Sequence, residues 1–480
     1  MIIGRKKEIG LLEKMMGDER SHFVAVYGRR RVGKTFLIRE TFQSRFTFQH
    51  AGLFEGKLSD QLFAFESSVR DAGGRPEKKA KNWMEAFEEL KDIVRNSTEK
   101  KKVIFIDELS WMDTQNSDLM MALENFWNGW ASARNDIILI ICASATSWML
   151  SKVVHNKGGL YNRLTEQIYL GAFNLAECEE YVKAIGVPFT REQILNFYMI
   201  FGGVPFYWSF LKKGYSFTQN VDMILFKKNA PLKEEFKYLY ASIFKNPNVY
   251  IKIIKALSKK KAGMTREEII KTADITNSGD LTTKLEELES CGFIRKYTAF
   301  GMKKKNSMYQ LIDCFTLFYY QFMEANPSDE HFWSNQLNTP VVNAWKGLAF
   351  ERVCLLHINQ IKQRLGIAGV YTDINSWQCK SDDKEGLIGS QIDLLIVRKD
   401  QVINLCEMKY SGSDFVLTDK VDKEIKTKIN DLITATKTKY AVFPTLITTY
   451  GLVENAYSGN IQSVITMDDL FAVVPHFCNS

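Results

Sequence analysis

Between Gly28 and Thr35 the chain reads Gly-Arg-Arg-Arg-Val-Gly-Lys-Thr, two glycines with four residues between them followed by a lysine and a hydroxyl. Each residue type in this P-loop pattern has a task at a polyphosphate. The glycines permit a tight turn, so that backbone N–H groups face a phosphate at the start of a helix. Lys34 would reach the β- and γ-oxygens, and the Thr35 hydroxyl would ligate Mg²⁺. Gly28, Arg29, Arg30, Arg31, Val32, Gly33, Lys34, Thr35 and Phe36 are therefore the expected nucleotide-binding run, with ATP and Mg²⁺ as cofactors. The apolar run His22–Tyr27 before it predicts a strand, and Phe36–Glu40 after it continues as a helix.

Two further strands are expected to complete this site. Residues 102–108 form an apolar run ending in Asp107 and Glu108. The first acid suits the Mg²⁺ shell and the second suits polarising a water. Residues 136–146 end in small polar residues, of which Ser144 or Thr146 is placed to sense a γ-phosphate or orient water. Strands alternating with helices predict a parallel sheet with its ligand at the carboxyl ends. Arg163, just before another short strand, is either an arginine finger, in cis or from a neighbouring subunit, or a surface ion-pairing residue. Gly202-Gly203-Val204-Pro205 breaks a helical region, and its backbone, Pro205 included, would pack against the adenine.

Together with Gly4, Arg5 and Glu8 near the start, and Leu11-Leu12 after them, these motifs make residues 1–240 resemble the archaeal-type ATPases of the P-loop superfamily, relatives of the AAA+ and STAND ATPases. The resemblance implies ATP hydrolysis and places Gly4, Arg5 and Glu8 beside the adenine. The Cys142-Ala143-Ser144 ending departs from the glycine-serine ending more usual in that family.

At 480 residues the chain has room for about three domains. Its 45% hydrophobic and 12% aromatic content is that of a folded protein. The longest apolar stretch, residues 137–143, is too short to span a bilayer. With no h-region or cleavage site at the N-terminus and eight cysteines without paired spacing, the expected location is cytoplasmic. The net charge of +7 is concentrated: residues 245–310 hold 14 Lys/Arg against 7 Asp/Glu, leaving the rest neutral. Such a surplus suits nucleic acid or a solvated basic face.

Within that segment Tyr250, Ile253, Ile254 and Leu257 recur at helical spacing, Thr265 and Glu268 form a capping box, and residues 281–290 make a third helix. Strands at 293–297 and 307–311 flank Lys303, Lys304 and Lys305. Three helices and a hairpin predict a winged helix, with the lysines on phosphate. Because the third helix carries Glu286, Glu287 and Glu289, protein docking stands beside DNA contact. The aromatic run Phe315, Phe318, Tyr319, Tyr320 and Phe322 reads as core.

The last third opens with a helix holding Glu351, followed by two strands that end near Asp393 and in Glu407-Met-Lys409. Two carboxylates on one face can hold Mg²⁺, and Lys409 can activate water or neutralise a phosphate. Residues 341–480 resemble the PD-(D/E)xK nuclease fold. The resemblance implies Asp393 and Glu407 as metal ligands, with Glu351 as a further acid. The expected fold is thus α/β: a parallel-sheet ATPase core (1–170), helical lid (171–245), winged helix (246–312), aromatic linker (313–340) and nuclease-like domain (341–480). DNA, a protein partner or further copies of the chain are the expected partners, with no membrane. The alternative is a nucleotide-switched docking protein whose last domain binds without cleaving.

Overall fold

The computed structural model describes residues 2–155, 158–244, 246–302, 307–337 and 339–474. Chain contacts divide it into two compact units, 1–172 and 173–480.

The first unit is built on five strands: β1 (His22–Tyr27), β2 (Phe48–Ala51), β3 (Lys102–Asp107), β4 (Ile137–Ala143) and β5 (Glu166–Tyr169). They lie in the order β2-β3-β4-β1-β5 and every pairing is parallel. The central strands β1, β3 and β4 are buried nearly throughout because both faces are covered, whereas the edge strands β2 and β5 are polar and partly exposed. Alternate residues serve opposite faces. Phe23, Ala25, Ile104, Ile106, Leu139 and Ile141 join one core with the helices Leu58–Asp71, Trp83–Asn96 and Leu119–Gly129. Val24, Val26, Val103, Phe105, Ile138 and Ile140 join the other with the helices Lys6–Gly17 and Lys34–Thr41. One consequence of the order matters for chemistry: β4 lies between β1 and β3, so its last residues separate the loop after β1 from the acids after β3.

The second unit begins with helices that include Leu175–Ala184, Arg191–Phe201 and Phe217–Leu225. Next come the helix Pro247–Ser258, the short strand β6 (Met264–Thr265), the helices Arg266–Ala273 and Gly279–Ser290, and the strands β7 (Ile294–Tyr297) and β8 (Met308–Leu311). Thr265 and Glu268 cap the middle helix reciprocally, and β6-β8-β7 form a small antiparallel sheet. Phe318 and Phe322 each pack edge to face on Trp333 and Trp345, which meet each other the same way, with centroids 5.2–5.6 Å apart, so the aromatic run is core. Asp222, buried, accepts from the Trp333 and Ser334 N–H groups and from the Ser334 hydroxyl, tying two helices across 111 residues of chain.

The helix Pro340–Leu356 leads into a second sheet: β9 (Thr372–Gln378), β10 (Gln391–Arg398), β11 (Val402–Lys409), β12 (Ala441–Thr448) and β13 (Ser463–Ile465). β9, β10 and β11 are an antiparallel meander, while β12 and β13 add in parallel. The parallel step from β11 to β12 is bridged by the helix Asp419–Thr436, as such a connection requires. Leu432 of that helix packs on Leu395, Val397, Ile403 and Leu405. Leu394 pairs with Cys406, so the next step of the ladder sets Asp393 opposite Glu407 on the same face. No helix among the described residues is long and apolar enough to cross a membrane.

Candidate functional site

The loop after β1 has its shape imposed by two glycines. Gly28 has φ +147, and a Cβ on it would stand 2.2 Å from the Leu170 carbonyl oxygen. Gly33 has φ +92 and precedes the helix Lys34–Thr41, whose N-terminus carries no side-chain cap. Lys34 is only 5% exposed. Its Nζ donates to the carbonyls of Gly28 (2.8 Å) and Arg29 (3.1 Å) and to Ser144 Oγ (3.2 Å). The Thr35 hydroxyl donates to Asp107 Oδ2 at 2.6 Å, and the Glu108 N–H donates to Asp107 Oδ1 at 3.0 Å. Glu108 itself sits in the left-handed region at φ 47. Its carboxylate accepts from the Ser144 hydroxyl (2.5 Å) and N–H (3.1 Å).

Ser144 therefore joins Lys34 to Glu108, which follows from the place of β4 in the sheet. An uncapped helix N-terminus beside a buried ammonium fits a polyphosphate. The adjoining Thr35 and Asp107 oxygens fit Mg²⁺, which prefers hard oxygen donors. Phe36, at 50% exposed, points its ring outward.

In the second unit the acids lie around a cavity of about 850 Å³. Glu351 comes from the helix Pro340–Leu356, Asp393 from β10, Glu407 and Lys409 from β11, and Lys428 from the helix Asp419–Thr436. The acids do not form one ligand set. Glu351 Oε1 and Asp393 Oδ2 share a single ammonium, that of Lys261, at 2.7 and 3.1 Å. Glu407 is paired instead with Lys409 (2.8 Å) and Lys428 (2.6 Å). Among the described residues no three acids, histidines or cysteines converge as a metal cluster. The expected grouping of Glu351, Asp393 and Glu407 is thus divided by lysines that neutralise each carboxylate locally.

Burial, reinforced by the Asp393 charge, pushes the Glu351 carboxyl up to about 7. Burial would also raise Asp393, but Lys261 and the Gln391 hydrogen bond hold it below the usual carboxylate range. Glu407 is likewise held down, against burial, by Lys428 and Lys409. Glu351 is 8% exposed, and its Oε2 accepts no hydrogen bond among the described residues. An unfilled buried carboxylate oxygen beside a second acid fits a small cation with oxygen ligands.

Residues 2–209 match a family described as an ATPase domain predominantly from Archaea. The chain carries an archaeal-type ATPase domain. An uncharacterized protein of Methanocaldococcus jannaschii is 24% identical over 444 residues, covering 91% of this chain and 92% of that protein. An uncharacterized ATP-binding protein of the same organism is 38% identical over 45 residues, 9% of this chain and 76% of that protein. Among solved structures, a Walker-type ATPase of Pyrococcus abyssi aligns with a TM-score of 0.45 and 14% identity, over 66% of this chain and 95% of that one. The ORC2 protein of Aeropyrum pernix, with ADPNP and ADP, aligns with a TM-score of 0.39 and 13% identity, over 64% and 89%.

Within the ATPase domain Arg5 donates to the Gly171 carbonyl at 2.6 Å, next to the Leu170 carbonyl that crowds Gly28. That contact fixes Gly4, Arg5 and the half-buried Glu8 at the edge of the sheet near the loop. Arg163 is exposed in the turn before β5. Pro205 opens a short helix of the second unit. Gly203 beside it lies so close to Phe173 that a Cβ would stand 1.8 Å from the Phe173 carbonyl oxygen.

The basic segment is corrected in part. Lys261 pairs with Glu351 and Asp393, and Arg295 faces inward, donating to Gln310 and Ser376, so part of the surplus is engaged within the chain. Lys303, Lys304 and Lys305 lie outside the described residues. Lys261, Lys428 and Ser144's bond to Glu108 were not signalled by spacing. His357 lies deep in the core, where its Nε2 accepts from the Leu175 N–H (3.0 Å) and its Nδ1–H meets the Val353 carbonyl (2.8 Å).

Proposed function

We propose that this chain is a Mg²⁺-dependent ATPase that acts on DNA, through a winged helix at 246–312 and a metal-dependent nuclease-like region at 341–480. The observation that carries the ATPase reading is the connected set Lys34–Ser144–Glu108 and Thr35–Asp107 at the carboxyl ends of three parallel strands. Lys34 would exchange its three oxygen partners for β- and γ-phosphate oxygens. Thr35 and Asp107 would hold Mg²⁺, which would supply positive charge beside the phosphates. Glu108, released from Ser144, would orient the attacking water and accept its proton. Arg163, exposed, suits a contact from a neighbouring copy.

Support for the nuclease-like reading is the meander–helix–parallel strand order with Asp393, Glu407 and Lys409 on one face. Asp393 would hold a divalent ion and Lys409 would act on the scissile phosphate. One observation favours the alternative of protein docking: the solvent face of the helix Gly279–Ser290 presents Thr282, Thr283, Glu286 and Glu289, an acidic face for a phosphate backbone.

The ATPase assignment is tested with Glu108→Gln. The variant should bind ATP as the unaltered chain does and release phosphate at least about 100-fold more slowly, since general-base removal costs this much. Undiminished turnover would end the assignment of Glu108. Lys34→Ala should lose binding itself, because a charge-assisted phosphate contact disappears.

A further inference from the structure

We infer that Lys261 occupies the divalent-cation position of the C-terminal acid site, so that an ion binds there only after this lysine leaves. The inference rests on the reading of Glu351 and Asp393 as metal ligands and adds how that site is closed. Both carboxylates direct an oxygen at one ammonium, at 2.7 and 3.1 Å. An ion held 2.0–2.6 Å from the same two oxygens would fill the same space. Two cations there would also repel. Occupancy by the lysine and by the ion is therefore exclusive.

Three features show that the contact is built into the turn. Lys259 is exposed and Lys260 pairs with Glu268, while Lys261, its side chain half-buried, is the one of three consecutive lysines directed at Glu351 and Asp393. The Lys261 carbonyl accepts from Gln310 Nε2 and Arg352 Nη2, both at 2.7 Å, and the Ala262 carbonyl accepts from the Tyr297 hydroxyl at 2.6 Å. Gly263, at φ +83, lets the turn press on β8, where a Cβ would stand 2.4 Å from the Tyr309 carbonyl oxygen. The turn is thus clamped to β7, β8 and the helix Pro340–Leu356. Displacing Lys261 requires the turn, or the side chain alone, to withdraw.

The test measures Mn²⁺ binding to the full chain by electron paramagnetic resonance, without nucleotide and in an Asp107→Asn background, so that an ion at the nucleotide site is not counted. Lys261→Met, which keeps the aliphatic stem, should tighten Mn²⁺ binding at least tenfold, and adding Asp393→Asn should abolish it. If Mn²⁺ binds equally with and without Lys261→Met but is lost with Asp393→Asn, the metal reading survives and the inference is overturned. If neither protein binds Mn²⁺ in an Asp393-dependent way, the metal reading itself fails and the inference falls with it. A second measurement uses the chain with Lys261 in place. Acetylation of Lys261, followed by mass spectrometry, should accelerate at least fivefold on adding Mn²⁺, and no acceleration would overturn the inference.

Discussion

Acid should loosen the second unit through His357. This imidazole lies wholly inside the protein, with the Tyr198 ring edge-on at 5.3 Å and no charged group against it. Its Nε2 must stay unprotonated to accept from Leu175, the first residue of the helix Leu175–Ala184. Burial lowers its pKa from 6.5 to about 4. The unfolded chain thus takes up the proton more readily than the folded one. The stability held by the neutral ring is complete above about pH 6.5, falls as pH drops from 6.5 towards 4, and falls no further below that. At 1.36 kcal/mol per pKa unit, the full loss is about 3 kcal/mol, and about 2 kcal/mol is gone by pH 5. His357→Gln supplies an amide oxygen for Leu175 without the titration. Urea unfolding should lose about 2 kcal/mol more between pH 7 and pH 5 in the unaltered chain than in His357→Gln. Hydrogen exchange should place that loss in residues 175–184 and 340–356. His50, also lowered to about 4 by burial, contributes equally to both proteins and cancels. Parallel losses in the two, within about 0.5 kcal/mol, would refute the reasoning.

Gly203→Ala should destabilise the second unit by about 3 kcal/mol, the upper part of the range for overpacking, because the new methyl meets a backbone carbonyl; an unchanged urea midpoint would contradict it. DNA binding should weaken steeply with salt, and replacing Lys303, Lys304 and Lys305 with alanine should flatten the slope of log K against log salt by up to about 3, roughly one per phosphate contact; binding indifferent to salt would favour the docking reading. Cleavage of supercoiled DNA with Mn²⁺ should vanish in Asp393→Ala and in Lys409→Ala while both stay folded by circular dichroism. Equal cleavage by the variants would point to a contaminant.

The nucleotide site was legible because its parts are local. Gly28, Gly33, Lys34 and Thr35 are set by one loop, and Asp107 and Glu108 follow one another at the end of one strand, so spacing alone groups them. What spacing does not carry is strand order. Only the insertion of β4 between β1 and β3 places Ser144 against both Lys34 and Glu108. The C-terminal acids were legible as facing residues of a hairpin, since alternation along β10 and β11 fixes their side. Their partners were not. Lys261 stands 132 residues before Asp393 in a run that reads as surface charge, and Lys428 is one of several lysines on a helix with a solvated face. His357 carried no signal either, because a buried histidine and an exposed one look alike until the helix capped by Asn174 arrives beside it.

The Asp222 carboxylate has a consequence for the time course of synthesis. Its donors, Trp333 and Ser334, lie 111 and 112 residues downstream. At about 5–20 residues per second the ribosome takes roughly 6–22 seconds to make that stretch, far longer than helices need to form. During this interval the helix Phe217–Leu225 exists with its acid in water and its apolar face uncovered. The segment 247–311 meanwhile has all of its own strands and helices in hand. The loop between Asp222 and Ser334 can therefore close only after the segment 247–311 has emerged, and while the strands from β9 onward are still to be made.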